Sequence, residues 1–244
     1  KAMAQLEASY TLHRLDLAKD REAFLVEHGP RCEAIVTNGH CSLTRDDLRH
    51  LPKLAIAACS SAGFESIDLD ALTEQGVHLT NSSVALQDDV ADVALMLTLA
   101  SRRHLVRAHR YVTSGDWGRS GPYPLLNSLK DKRAGIVGLG TIGLSIARRL
   151  EPLGLELGYT ARSKKDVEYQ YFSDLTDLAE WSDILVVIVP GGAETDKMIN
   201  REVLDALGPE GTLINVARGS VIDEREMIAA LKDGRLGSAG LDVY

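Results

Sequence analysis

The sequence predicts an α/β protein with parallel sheets, and three observations carry this prediction. Patterns typical of strands and of helices alternate along most of the 244 residues, as expected for βα units. Short apolar runs, such as the one that begins at residue 184, suit strands buried on both faces of a parallel sheet. A glycine-rich segment at 138–143 lies directly between a strand pattern and a helix pattern.

The first third of the chain predicts a small set of βα units. Gly76 separates a helix pattern from the strand pattern that follows it. Asp68 and Asp70 are interpreted as the start of that helix and not as a metal-binding pair. The predicted strands are 34–37, 54–59 and 77–80, and the predicted helices are 43–51 and 67–75.

A single long helix is predicted over 87–113, because this stretch contains no Gly or Pro and its front half is crowded with apolar residues. Such a helix must be buried on most sides, so we expect it between domains or in a subunit interface. Asp88, Asp89 and Asp92 would lie in its first turns, where the helix dipole favours negative charge. The following stretch, 114–131, is rich in Gly, Pro and Ser and is predicted to be a long connection.

The alternation of strands and helices is clearest after residue 133 and predicts a second, larger domain. The predicted strands are 134–138, 156–160, 184–189, 212–216 and 239–243, and the predicted helices are 142–153, 175–181, 201–207 and 224–232.

Composition excludes several classes of protein. Hydrophobic residues make up 45% and charged residues 25%, which is ordinary for a globular chain. The net charge of −8 argues against a nucleic-acid surface, and no apolar run reaches the length of a membrane span. Cys32, Cys41 and Cys59 have no C-x-x-C spacing, which fits a reduced cytoplasmic protein without a metal site.

The segment G-L-G-T-I-G predicts a dinucleotide site, because a strand precedes it, and a helix and a second strand follow. Glycines permit the tight turn and let the backbone approach a pyrophosphate. The helix N-terminus offers N–H groups and a partial positive charge to it. The candidate residues are Gly138, Leu139, Gly140, Thr141, Ile142 and Gly143.

The end of the second strand predicts NADP(H) as the cofactor. NAD-binding versions of this motif carry an acidic residue about twenty positions on, which holds the ribose 2′-OH. Here residues 160–165 read T-A-R-S-K-K and contain no carboxylate. Arg162, Ser163 and Lys164 are the candidates for a 2′-phosphate site, since Arg and Lys suit phosphate. Solvated surface charge is the alternative interpretation.

Over essentially its whole length the chain resembles the D-isomer-specific 2-hydroxyacid dehydrogenases. The likeness is carried by 81–92, by G-L-G-T-I-G, by I-N-V-A-R-G at 214–219 with V-I-D-E at 221–224, and by A-G-L-D-V-Y at 239–244. Within the family, N-R-E-V-L-D-A-L-G-P, A-R-S-K-K and D-D-V-A-D-V-A-L resemble plant hydroxypyruvate and hydroxyphenylpyruvate reductases.

The resemblance implies two domains. A smaller flavodoxin-like α/β substrate domain is expected at 1–81. An NADP-binding domain with a Rossmann-type doubly wound parallel sheet is expected at 82–244, including the helix 87–113. Both are expected to be truncated at the chain ends.

The resemblance also implies site residues. Arg218 would bind the substrate carboxylate and polarise the carbonyl, and the backbone amides of Ala62 and Gly63 resemble the family's carboxylate-binding turn. Asp242 would hold the nicotinamide carboxamide. The further cofactor contacts that we expect are Val189, Pro190, Thr195, Val216, Ala217 and Arg218.

The activity implied is NADPH-dependent reduction of small 2-oxo acids, such as hydroxypyruvate, glyoxylate or hydroxyphenylpyruvate, to D-2-hydroxy acids by hydride transfer. The family's proton-donating His–Glu pair would lie beyond Tyr244, so the chain is expected to be a fragment of a longer protein. A homodimer is expected, with no nucleic-acid or membrane partner. Two alternatives remain: a non-catalytic NADP(H)-sensing regulatory module, and an NAD-linked dehydrogenase of the same family.

Overall fold

A computed structural model of the chain describes residues 2–126 and 128–244. Two compact units divide the chain, one ending at Ser82 and the other spanning Ser83–Tyr244. Strands pair in parallel in both units, so the predicted α/β fold with parallel sheets is confirmed.

The first unit contains a three-stranded sheet with the order β1-β2-β3. Asp68 caps the N-terminus of α4 by accepting a hydrogen bond from the Ala71 amide, which confirms its interpretation as a helix start. Gly76 ends the same helix with φ at +72°, a backbone conformation that glycine adopts without strain. Two helices before β1 were not predicted. The helices are α1 Ala2–Ser9, α2 Arg21–His28, α3 Arg45–Arg49 and α4 Leu69–Gln75, and the strands are β1 Ala34–Thr37, β2 Ile56–Cys59 and β3 His78–Thr80.

The second unit contains a six-stranded sheet. Its helices are α5 Ser83–Arg102, α6 Leu105–Thr113, α7 Asp116–Ser120, α8 Thr141–Leu150, α9 Leu175–Trp181, α10 Arg201–Leu207 and α11 Glu224–Asp233. Its strands are β4 Arg133–Val137, β5 Glu156–Thr160, β6 Gln170–Tyr171, β7 Ile184–Val187, β8 Thr212–Asn215 and β9 Ser238–Leu241. Predicted and observed boundaries of the shared elements differ by a few residues at most.

The order of strands in this sheet is β6-β5-β4-β7-β8-β9. The chain builds outward from β4 to β6, returns to the middle, and builds outward again from β7 to β9. This is a doubly wound sheet, and its direction reverses between β4 and β7. Ligands bind outside the carboxyl ends of the strands at such a reversal. All four residues of β7 are fully buried, as the apolar run predicted.

The prediction of one helix over 87–113 is wrong. The stretch forms α5 and α6, which are separated at Arg103 and His104. His104 has φ at +49° and ψ at 37°, in the left-handed region that ends an α-helix. Absence of Gly and Pro therefore did not guarantee continuity, because histidine also enters this region at moderate cost.

Within the chain, α5 buries Ala91, Ala94 and Thr98, while Met96 is 56% exposed, so burial of its remaining sides would have to come from an interface. The prediction that its acidic residues lie in the first turns is wrong. Because α5 begins at Ser83, its acidic residues lie beyond the first turn, and the helix dipole does not explain them. The expected interface role of this region stays a prediction.

Asp88 and Asp92 instead bind Arg149 of α8. The guanidinium donates from Nε to Asp92 at 2.6 Å and from Nη2 to Asp88 at 2.9 Å. It also donates from Nη1 to Ser145 Oγ at 2.6 Å. These bonds join α5 to α8, the helix that follows the start of the G-x-G-x-x-G segment.

The predicted connection 114–131 contains the short helix α7, which lies between Gly115 and Gly121, both at positive φ. Residue 127 of this connection lies outside the described residues. Within 2–126 and 128–244, the helices all lack either the length or the apolar character needed to cross a membrane.

Asp183 is predicted to be an acid-sensitive support of the larger sheet. Its carboxylate accepts hydrogen bonds from Lys132 Nζ at 2.7 Å and from the Arg133 amide at 2.9 Å. Burial alone would raise the pKa of Asp183, but these bonds outweigh burial and hold the pKa below its ordinary 3.8. The stabilisation is therefore complete above pH 3.8 and is lost as the pH falls through the lower, folded value.

We expect Asp183→Asn to reduce the free energy of unfolding by about 1–2 kcal/mol at pH 7, measured by urea unfolding. The difference from the unsubstituted chain should shrink below pH 4 or so, where that chain protonates too. Asp16→Asn is the control, because Asp16 pairs with Arg14 on the exposed surface and should contribute little. A difference that stayed constant down to pH 2 or so would contradict the assignment.

Candidate functional site

The predicted cofactor residues of the larger unit lie at one edge of its sheet. Gly138 follows β4, Arg162 follows β5, Val189 follows β7, Arg218 follows β8, and Asp242 follows β9. Because all these strands are parallel, their carboxyl ends meet at the same edge. The structure thus brings together residues that are far apart in the chain. They lie on either side of the point where the strand order reverses, between β4 and β7.

The three glycines of the G-x-G-x-x-G segment differ in what surrounds them. A Cβ on Gly138, where φ is +102°, would lie 2.6 Å from Ile188 O, and one on Gly143 would lie 2.1 Å from Gly138 O. These two glycines therefore allow the turn and the close packing of α8 on β4. A Cβ on Gly140 would meet no atom within 4 Å. The space at Gly140 is on the open side of the turn, where a ligand can approach the backbone.

The start of α8 fits the pyrophosphate of a dinucleotide. Gly140 precedes the helix in an extended conformation and has no side chain that could cap its amides. The amides of Thr141, Ile142 and Gly143 belong to the first turn, where intrahelical acceptors are missing and the helix dipole is positive. Leu139 is 5% exposed and packs in the core, so only its backbone can face a ligand.

A basic loop follows β5. Arg162, Ser163 and Lys164 are all exposed in this loop, and the first carboxylate after β5 belongs to Asp166. Gly138 N donates to Thr160 O at 2.9 Å, which joins the glycine-rich turn to the base of the basic loop. The exposed cations thus lie next to the strand whose end receives the adenine ribose in proteins of this architecture.

The loop after β7 is closed by Thr195. Its Oγ1 donates to Pro190 O at 2.7 Å and lies 3.3 Å from Gly192 O. Val189 Cγ1 lies only 2.9 Å from the position that a Cβ would take on Gly138. Val189 therefore packs against the glycine-rich turn, and the Thr195 hydroxyl shapes the loop; their direct contact with a cofactor stays a prediction.

Arg218 is half-buried and follows β8, and its Nη1 donates to Ala217 O at 2.6 Å. The fully buried Asn215 fixes this turn with both ends of its amide. Its Nδ2 donates to Arg218 O at 2.9 Å, and its Oδ1 accepts from Ala217 N at 3.0 Å. Sequence reasoning missed Asn215, although an asparagine at the end of a buried strand was a signal. Val216 is 5% exposed, so its side chain belongs to the core.

Asp242 is exposed and lies beside the Arg218 turn, since its amide donates to Asn215 O at 2.9 Å. The Asp242 carboxylate and the Arg218 guanidinium therefore follow the ends of two adjacent strands, β9 and β8. Ala217, 1% exposed, can reach a ligand only through its backbone.

Ala62 and Gly63 lie in the first unit, in the loop after β2. Ser61 Oγ donates to Gly63 O at 2.6 Å, and Asn81 Nδ2 donates to Ala62 O at 3.4 Å. These bonds brace the turn through its carbonyls. Its predicted role in binding a carboxylate through the amides stays a prediction.

Comparison with known proteins agrees with this architecture. Residues 95–244 match the family described as D-isomer specific 2-hydroxyacid dehydrogenase, NAD binding domain. The chain belongs to this family. The predicted resemblance to D-2-hydroxyacid dehydrogenases is therefore confirmed, and the family assignment makes the chain part of an oxidoreductase that acts on CH–OH donors.

Relatives in this dehydrogenase family include plant reductases. A glyoxylate/hydroxypyruvate reductase of Arabidopsis thaliana is 44% identical over 223 residues, which cover 91% of this chain and 69% of that protein. A hydroxyphenylpyruvate reductase of Plectranthus scutellarioides is 42% identical over 241 residues, which cover 98% of this chain and 77% of that protein.

Among solved structures, an NADPH-dependent glyoxylate/hydroxypyruvate reductase from Sinorhizobium meliloti, in complex with NADP and malonate, is similar to this dehydrogenase chain. It has a TM-score of 0.79 and 38% identity, and the match covers 91% of this chain and 70% of that one.

Proposed function

We propose that this protein reduces small 2-oxo acids to D-2-hydroxy acids with NADPH. The basic loop after β5 carries the proposal. It presents Arg162, Ser163 and Lys164 to solvent where an NAD-binding protein of this architecture would present a carboxylate. A guanidinium with a neighbouring ammonium and hydroxyl suits the 2′-phosphate that distinguishes NADP from NAD.

Arg218 would bind and orient the substrate. Its planar guanidinium offers paired donors to a carboxylate and stays charged at every working pH. A donor held close to the substrate carbonyl would also stabilise negative charge that develops on the carbonyl oxygen. Asn215 fixes the backbone from which Arg218 extends, so less ordering is needed when substrate binds. The nicotinamide, when bound, would supply the hydride for the carbonyl carbon, and the carbonyl oxygen would take up a proton to give the hydroxyl.

The proposed substrates are hydroxypyruvate, glyoxylate and hydroxyphenylpyruvate. Support comes from the relatives, which are named as reductases of these acids. Each candidate is a carboxylate with an adjacent carbonyl, the group that one guanidinium can hold at two points.

The decisive experiment follows oxidation of NADPH and of NADH by the natural full-length polypeptide with each of the three acids. We expect turnover with NADPH well above that with NADH. Arg162→Ala should raise KM for NADPH about 10–100-fold and leave KM for NADH nearly unchanged, because it removes charge-assisted bonds to the 2′-phosphate only.

Arg148→Ala is the matched control, since Arg148 is an exposed arginine on the last turn of α8, outside the basic loop. It should leave both KM values unchanged. A preference of the unsubstituted enzyme for NADH would overturn the proposed cofactor. Binding of NADPH without turnover of any of the three acids would overturn the proposed reaction and favour a nucleotide-sensing module.

A further inference from the structure

Tyr159 connects the interior of the larger sheet to the basic loop. It is the penultimate residue of β5 and is fully buried. The Lys165 amide donates to Tyr159 Oη at 2.7 Å, and this hydroxyl lies 3.3 Å from Lys165 O, to which it donates in turn. One buried hydroxyl therefore satisfies both backbone polar groups of a residue at the far end of the A-R-S-K-K segment.

The inner side of the loop has further attachments. Tyr171 Oη of β6 donates to Ala161 O at 3.4 Å, and the rings of Tyr159 and Tyr171 lie 5.4 Å apart. Beyond the basic residues, Val167 and Tyr169 pack against the core. The exposed segment 162–164 therefore lies between two residues, Ala161 and Lys165, whose backbone groups are held by tyrosine hydroxyls.

This arrangement matters for binding because a loop that is ordered beforehand loses less entropy when it closes on a ligand. The buried hydroxyl also needs partners, since an unpaired polar group in the interior is costly. Phenylalanine at this position would keep the ring and its packing, but would leave the Lys165 amide without its acceptor.

We propose that Tyr159 is a positioning residue for the cofactor's 2′-phosphate, because its hydroxyl bonds to Lys165 hold the segment 162–164 in one conformation. The proposal rests on the proposed preference for NADP(H). Because Tyr159 itself is fully buried, it would act on the phosphate only through the loop.

The test compares two nucleotides that differ only in the 2′-phosphate, 2′,5′-ADP and 5′-AMP, by titration calorimetry with the natural full-length polypeptide. Tyr159→Phe should weaken 2′,5′-ADP about three- to tenfold, the range expected for lost hydrogen bonds, and leave 5′-AMP nearly unchanged. Amide hydrogen exchange at Lys165 should accelerate by at least a similar factor. In turnover, KM for NADPH should rise while kcat is retained.

Tyr111→Phe is the matched control. Tyr111 Oη donates to Gly121 O at 2.9 Å, so this variant also loses one tyrosine bond to a backbone carbonyl, but outside the basic loop. It should change neither nucleotide affinity nor exchange at Lys165.

The outcomes separate the two proposals. If Arg162→Ala weakens 2′,5′-ADP selectively but Tyr159→Phe weakens both nucleotides equally, or neither, the role of Tyr159 is overturned and the cofactor proposal stands. If Arg162→Ala leaves the ratio of the two affinities unchanged, the cofactor proposal fails, and the role of Tyr159 fails with it.

If Tyr159→Phe does not fold, hydrogen exchange of the unsubstituted protein still tests the proposal. The Lys165 amide should be protected in the free protein, because its acceptor is buried. Exchange at the rate of an unstructured amide would overturn the proposal without any variant.

Discussion

Replacing Arg218 with lysine is expected to lower kcat/KM for the 2-oxo acid about 10²–10³-fold, the cost typical of losing a transition-state donor. Lysine keeps the charge but replaces two fixed donors with a single mobile ammonium, so it cannot hold a carboxylate at two points. Asn215 binds the backbone of residue 218 and should keep the turn in place in the variant. Affinity for NADPH should change far less than kcat/KM.

Steady-state kinetics with hydroxypyruvate, together with fluorescence titration of NADPH, would measure the two effects separately. Arg201→Lys is the control, because Arg201 lies exposed on α10 and pairs with Asp205 within the same helix. It should leave both quantities unchanged. If Arg218→Lys weakened NADPH as much as it lowered kcat/KM, Arg218 would act on the cofactor alone, and the assignment of substrate binding to it would be wrong.

Much of the larger unit's fold was predictable because its signals are local. The apolar run of β7 predicts a strand buried on both faces, and Asp68 in the smaller unit predicts a helix start by its position alone. The glycine at 143 also acts locally, since a Cβ there would meet the backbone of Gly138 in the same turn. A short stretch of sequence is therefore enough to predict a buried strand, a helix start or a glycine turn.

Other features depend on partners that a local pattern does not contain. Arg149 binds Asp88 and Asp92, which are 61 and 57 residues away, so the acidic residues of α5 were misinterpreted as helix-dipole charges. The break at His104 depends on one backbone conformation. No composition rule specifies that conformation.

The candidate site divides in the same way. The residue types at the end of a predicted strand indicated Arg162, and the family resemblance indicated Arg218, because the side chains of both arginines themselves carry the chemistry. Asn215 and Tyr159 were missed, since asparagine and tyrosine acquire their roles only through the backbone atoms that they bind. The residues that hold a site in shape are therefore harder to predict than the residues that present its charges.

The glycines of the turn at 138–143 allow binding and folding to be separated by two substitutions of the same kind. Gly140→Ala should leave the free energy of unfolding unchanged or slightly higher, since φ is −86° there and a Cβ meets no atom within 4 Å. The same methyl would occupy the side from which a phosphate approaches the backbone. We expect NADPH to bind at least about tenfold more weakly, as for the loss of one charge-assisted bond.

Gly143→Ala should instead reduce the stability of the fold. Its Cβ would lie 2.1 Å from Gly138 O, a backbone atom that cannot move without shifting α8 from β4. We expect a loss of about 1–3 kcal/mol in unfolding free energy without any ligand, as for overpacked cores. Thermal unfolding of the free proteins and titration with NADPH would distinguish the pair. A stable Gly143→Ala protein would contradict the packing role of Gly143, and a Gly140→Ala protein that binds NADPH normally would contradict the approach of a phosphate to the backbone at Gly140.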